Sequence, residues 1–262
     1  MADITVRKIR FEFDERFDFD LEDQELGLTL SSMGLSLTMP HLEPYLIRTM
    51  KVALKEITDP VLAEDVRRFS QQEGHHFRNH ADFNVKLRGH FEPDVGAELE
   101  RIEAEMEADY QRFSQEKSLR WNAAYAEGFE AMTCSGALAM AEHGILEADA
   151  TPGGELWPWH MAEEIEHRTV AFGVFEHLVG RYFYRVVFGA RAQWHYLSYV
   201  RRFAKTMARG LGRELVSPRT PMTRAAGRNY LRTWSPRYDP AKIVIPPAVD
   251  ALLARYSARA AS

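Results

Sequence analysis

The rhythm of apolar and polar positions changes early in the chain and then holds. Residues 4–19 set Ile4, Val6, Ile9, Phe11 and Phe13 among charged neighbours, a near alternation that predicts a short strand or hairpin against a larger body. From Pro40 the spacing becomes helical. Pro40 opens a helix to about Ile57, and Thr58-Asp59-Pro60 supplies a turn and a fresh N-cap for a long helix to about Leu87. Residues 94–116 are Glu-rich with apolar residues at helical spacing, which predicts a half-exposed connecting helix. Residues 118–147 carry so many small and apolar residues that they predict a buried one. Thr151-Pro152-Gly153-Gly154 ends that unit, a helix follows from Glu155 to Val179, and an amphipathic helix runs on to about Gly210. Beyond Pro218 the periodicity fades into short helices and coil. The chain thus divides into an N-terminal strand or hairpin extension (1–30), a helical bundle (31–215) and a basic C-terminal extension packed on it (216–262).

Two of these helices carry chemistry. His160, Glu164 and His167 stand at i, i+4 and i+7, and Glu73 with His76 repeats the Glu-x-x-His part. At about 100° per residue, each pattern places imidazole and carboxylate on one helix face. Di-iron and di-manganese bundles take a Glu-x-x-His pair from each of two helices and one inward Glu from each of two others. On the helix 41–57 that Glu is Glu43, which stands in an apolar stripe with Ile47 and Met50. On 118–147 it is Glu130, mid-helix and followed on its face by Thr133, Cys134 and Ala137, whereas Glu142 and His143 are rotated away. His160 adds a third nitrogen, and His80 and Glu127 are candidates to support the ligands. Carboxylate oxygen and imidazole nitrogen without thiolate suit two iron ions, with manganese or zinc as alternatives. Glu163, Glu166 and His75 point elsewhere by the same arithmetic and read as ion-pair partners, for example of Arg168 or Arg78. Trp157, Trp159 and Cys134 read as core.

The segments Gln72 to His76 and Trp159 to His167 resemble Gln-Glu-x-x-His and Trp-His-x-x-Glu-Glu-x-Glu-His of a bacterial family labelled predicted metal-dependent hydrolase, over about residues 30 to 215. The pattern at 160–167 is also similar to that of p-aminobenzoate N-oxygenase-type di-iron enzymes. That second resemblance implies an all-α, ferritin-like four-helix bundle, here with additional helices and a short N-terminal β element. It also implies O2 activation at an iron pair held by Glu43, Glu73, His76, Glu130, His160, Glu164 and His167.

Composition narrows the setting. A lone cysteine, Cys134, excludes an internal disulfide and a Cys-based cluster and suits a reducing cytoplasm. The net charge of −5 conceals an imbalance, since residues 181–262 hold 16 Lys and Arg against Glu214, Asp239 and Asp250. Such a basic third either docks on the acidic remainder or rests on an anionic membrane; Arg185 and Arg191 interrupt its apolar run, so its helix would lie on a membrane and not span it. Nucleic acid is excluded by the acidic half. The bundle faces would suit a homodimer. The leading expectation is therefore a cytoplasmic di-iron oxidase or oxygenase that acts on a small apolar or amine substrate, with O2 and an external electron donor. A two-metal hydrolase is the alternative, and a non-enzymatic iron-binding protein a further one.

Overall fold

The computed structural model describes residues 4–13, 26–147, 154–217 and 219–261, and every regular element among them is helical. The helices are α1 (Leu26–Ala53), α2 (Pro60–Gly89), α3 (Pro93–Glu116), α4 (Leu119–Glu142), α5 (Leu156–Glu166), α6 (Val170–Leu178), α7 (Tyr182–Gly210), α8 (Pro221–Thr233) and α9 (Pro247–Ala261). The fold is all-α, as the periodicity predicts. Helices α1, α2, α4 and the α5–α6 pair close a four-membered ring: α1 packs on α2 and α4, and α5 and α6 each touch α2 and α4. Outside the ring α7 lies across α1, α3 and α4, α8 covers α4, and α9 covers α5. No helix among the described residues is long and apolar enough to cross a membrane.

α1 begins at Leu26 and not at Pro40, so both Pro40 and Pro44 lie inside it. Interior prolines cost about 3 kcal/mol each. The same helix buries Leu30, Met33, Leu37, Leu42, Leu46 and Met50 completely. At about 1.5–3 kcal/mol per large apolar side chain, burial outweighs the two prolines. α2 starts where the sequence says, with Pro60 in its first turn and Asp59 accepting from the Val61 and Leu62 amides at 2.8 and 3.3 Å.

Two departures from expectation shape the site. Residues 4–13 are extended but form no strand. Their backbone groups pair with side chains of α2: the Phe11 amide donates to Asn79 Oδ1, Asn79 Nδ2 donates to the Ile9 carbonyl, and Gln72 Nε2 donates to the Thr5 carbonyl. The alternation records an extended strap that buries Ile4, Arg7, Ile9 and Phe11, not a sheet. Residues 14–19 of the expected hairpin, and Thr151 to Gly153 of the expected turn, lie outside the described residues.

The second departure is the single helix expected over 155–179. It ends at Glu166 and restarts at Val170. Arg168 stabilises the break by donating to the Ile165 and Pro240 carbonyls, so it serves a helix end and is no partner of Glu163 or Glu166. α4 meets α7 so closely that a Cβ on Gly128 would lie 2.5 Å from the Gly189 Cα.

Candidate metal centre

The ring brings the predicted side chains to one buried space. α1 contributes Glu43, α2 contributes Glu73 and His76, α4 contributes Glu130, and α5 contributes His160 and Glu164 with His167 capping its C-terminus. All seven are at most 2% exposed. His160 Nε2 lies 2.9 Å from Glu164 Oε1 and 3.6 Å from Glu43 Oε1. His167 Nε2 lies 3.5 Å from Glu73 Oε1 and 3.9 Å from Glu164 Oε1, and His76 Nδ1 lies 3.8 Å from Glu73 Oε1. Two sets of donor atoms are each close enough to hold an ion: Glu73, His76, Glu164 and His167, and Glu43, His76 and His160.

Each histidine is fixed from behind. His76 Nε2 lies 2.8 Å from Glu163 Oε2, and Glu163 Oε1 accepts from Arg7 Nη1 at 3.0 Å. His167 Nδ1 lies 3.0 Å from Glu130 Oε2. A carboxylate behind an imidazole takes its N–H and leaves the opposite nitrogen's lone pair for a metal. His160 is set by a longer chain that begins at a proline. Pro40 has no N–H, so the Ser36 carbonyl is released from the α1 ladder and accepts from Asn84 Nδ2 at 2.9 Å. That orients the Asn84 amide, whose Oδ1 takes the Ser36 hydroxyl proton at 2.6 Å. The Ser36 oxygen must then accept from His80 Nδ1, 2.8 Å away. Burial holds His80 well below its ordinary range and therefore neutral, so its Nε2 is an acceptor, and His160 Nδ1 donates to it at 2.7 Å. That leaves Nε2, which faces Glu43 and Glu164, as the His160 nitrogen available to a metal. Aromatic rings complete the wall: Trp159 meets His76 edge-on at 4.8 Å, Phe69 meets His167 at 4.9 Å, and Trp157 stacks parallel to His160.

The inner atoms have no protein partner. Both oxygens of Glu43 and of Glu73, one oxygen each of Glu130 and Glu164, His76 Nδ1 and His167 Nε2 are buried without a hydrogen bond. Native interiors rarely leave such groups unpaired, and orphans that converge on one point fit cations. Burial, together with repulsion among the carboxylates, holds Glu43, Glu73 and Glu130 well above the carboxylate range. Glu164 is the exception: burial pushes it up, but His167, His160 and Thr133 outweigh this and hold it low. Burial, with the neighbouring imidazoles, holds His76 low, so it presents a lone pair and not a proton. A cluster of oxygen and nitrogen donors in this state fits two metal ions.

Other predicted residues lie apart. Glu127, expected to support the ligands, turns to α7, where it accepts from Arg185 Nη1 at 3.0 Å. Arg185 is thus buried and not on the solvent face of its helix. Glu130 stands one hydrogen bond behind His167 and outside both donor sets. Glu163 and Glu166 do form ion pairs, but with Arg7, whose guanidinium also reaches the Leu253 carbonyl and Ser257. Cys134 is buried, its thiol pushed by burial up to about 12. Arg7, Glu163, Ser36 and Asn84 are the functional neighbours that motif spacing overlooks. The alternation at 7, 9, 11 and 13 does place Arg7 in the buried register, a charge among Ile9, Phe11 and Phe13.

Compared with known proteins, the chain matches a family described as predicted metal-dependent hydrolase over residues 5–243. No curated protein matches, and no solved structure does.

Proposed function

The chain belongs to the predicted metal-dependent hydrolase family, and from that premise we propose that it hydrolyses a small, neutral ester or amide at a pair of metal ions held by Glu43, Glu73, His76, His160, Glu164 and His167. The observation that carries this reading is the convergence of partnerless buried oxygens and nitrogens on one space. When bound, the metals would supply Lewis acidity toward the substrate's carbonyl oxygen and a water made acidic near neutral pH.

The protein's own residues prepare for that chemistry. Arg7, Glu130 and His80 hold the three imidazoles in the tautomers that turn a lone pair inward, directly or through Glu163. Glu130 Oε1 has no partner, and burial with the charge of Glu164 raises the proton affinity of that carboxyl. It is the group suited to take a proton from the attacking water and return it to the leaving group. The rings of Trp157, Trp159 and Phe69 keep bulk water from the donors. Arg7 is spent on Glu163 and Glu166, so a phosphate would find no free cation from it, which favours a neutral ester or amide over a phosphoester.

The test is to load metal-free protein separately with zinc, manganese and Fe(II) and assay chromogenic apolar esters and anilides. Hydrolysis that Glu130→Gln abolishes even at saturating metal supports the reading. Failure with every metal, while the Fe(II) form consumes O2, would replace it with a di-iron oxidase. What supports that second reading is the donor set itself, three imidazoles among carboxylates with no thiolate, which suits iron, and the likeness of the 160–167 pattern to N-oxygenase-type enzymes.

A further inference from the structure

α7 has a buried face and an outer face of unusual character. Inward, Tyr196 and Phe203 are fully buried. Outward, Phe183 is 79% and Trp194 78% exposed, and Val187 and Leu197 are exposed between and beside them. At about 100° and 1.5 Å per residue, Phe183 and Trp194 lie within about 20° of one another and about 17 Å apart along the axis. Exposed Arg191 lies between them, and exposed Arg201, Lys205 and Arg209 continue the same sector toward the C-terminus. α7 contains no acidic residue at all.

Isolated exposed aromatics need no explanation, but two large ones aligned on a cationic stripe do. The basic residues are not all consumed within the chain. Arg185 pairs with Glu127, and Arg202 with Glu105. Among the described residues, no carboxylate lies within ion-pair distance of Arg191, Arg201 or Lys205 in this structure. The acids of α3 nearest to α7 are engaged, Glu98 with Arg101 and Asp109 with Arg112 and His195. Arg201, Lys205, Arg209 and Arg213, together with Glu98 and Glu214, border a groove of 670 Å³ beside the C-terminal end of the stripe.

We propose that the outer face of α7 docks the protein on an anionic lipid bilayer, with Phe183, Val187, Trp194 and Leu197 entering the headgroup layer and Arg191, Arg201, Lys205 and Arg209 meeting lipid phosphates. Apolar residues on one helix face flanked by cations lie in the plane of such a surface. No described helix can span a bilayer, so the contact is peripheral. Charge complementarity selects this occupant: a second copy would bring a like-charged face, whereas an anionic bilayer neutralises the stripe and accepts the aromatic rings together.

The experiment is co-sedimentation of the full chain with phosphatidylcholine vesicles, with and without phosphatidylserine, at low and high salt. The expected result is binding to the anionic vesicles alone, released by salt. Each cation at the surface contributes about a factor of five, so Arg201→Gln/Lys205→Gln should weaken partitioning roughly 30-fold. Phe183→Ser/Trp194→Ser should remove the binding, with the helical circular dichroism of both variants unchanged. Three results overturn the proposal: no binding to anionic vesicles at low salt; equal binding by parent and variants; or lipid-independent self-association that Phe183→Ser/Trp194→Ser disperses.

Discussion

Replacing Arg7 with methionine tests the architecture behind the metal centre most directly. Arg7 is 3% exposed and joins Glu163, bidentate Glu166, the Thr5 and Leu253 carbonyls and Ser257. Methionine keeps much of the length and removes the charge. Two buried carboxylates then lose their counter-ion, and breaking a buried pair from one side costs about 3–5 kcal/mol. At about 2–4 °C per kcal/mol for a chain of this size, the metal-free melting temperature should fall by roughly 6–20 °C. A second effect separates support of the site from mere stability. Burial already pushes Glu163 up to about 8, with Arg7 holding it down. Without Arg7 nothing pins the Glu163 carboxyl from behind, and Oε2 is no longer held against His76 Nε2. The inward nitrogen of His76 is then no longer fixed, and metal affinity should fall about 10- to 100-fold. Glu163→Gln in the same background should add little to either loss, because both changes act on one network. Thermal melts of the metal-free forms and competition titrations with a chelating dye measure the two effects. A variant that melts within about 2 °C of the parent and binds metal equally well would refute the claim that the strap orients His76.

Three further outcomes follow from the same geometry. Glu43 and Glu73 are held high by burial and mutual repulsion, so the metal-free site carries protons near neutrality; loading must release them, and apparent affinity should rise with pH. Calorimetry in two buffers of different ionisation enthalpy reads the release, and none detected would contradict the assignment. Burial raises Glu127 to about 7 against Arg185, so its folded value lies above its unfolded one; its stabilising contribution is complete below about pH 4.5 and fades as pH rises through 7, by about 3 kcal/mol in total. Denaturant melts across pH should therefore be flatter for Glu127→Gln than for the parent. Gly128→Ala would push a methyl to 2.5 Å from the Gly189 Cα, forcing α4 and α7 apart; a cost of about 1–3 kcal/mol or more is expected, and an unchanged urea midpoint would show the contact to be looser.

What the sequence revealed about the site depends on where each residue sits. Glu73, His76, His160 and Glu164 lie within regular helices, so simple angular arithmetic places them on shared faces. Glu43 was legible for the same reason, although the start of its helix was not. Pro40 read as a first-turn residue, and Gly27, Ser31, Ser32 and Gly34 upstream of it weaken helix propensity. Only the buried leucines and methionines of α1, which act through tertiary contacts, reveal why the helix extends back to Leu26. The break at His167 carries no Gly or Pro, and its stabilising group, Arg168, works through the Ile165 carbonyl, left free where the helix ends, and the distant Pro240 carbonyl. Arg7 was the hardest to see: its partner Glu163 lies 156 residues away, on an element whose alternation reads equally well as a strand or as a strap. Long-range pairing leaves no local period. The Ser36–Asn84–His80 chain is hidden for a similar reason, since it starts from the hydrogen bond that Pro40 does not make.

The two halves of the site are not equivalent, and this has a measurable consequence. Glu73 and Glu164 bring two carboxylates to the set that contains His76 and His167, and both of those imidazoles are backed by carboxylates, Glu163 and Glu130. The set with Glu43 and His160 has one carboxylate, and His160 is backed by neutral His80. With cations bound, the carboxyls behind His76 and His167 would be ionised and raise the basicity of those imidazoles, while neutral His80 fixes only the orientation of His160. The first set should therefore hold its ion more tightly and keep it when a chelator strips the second. Titration of metal-free protein should show two steps, not one. His167→Ala should remove the tighter step, and His160→Ala should weaken the looser one and spare the tighter. The inference fails if both substitutions erase the same step, or if the parent binds two ions with a single affinity. His76 borders both sets, so His76→Ala should lower both, which separates loss of a shared ligand from loss of one ion's own.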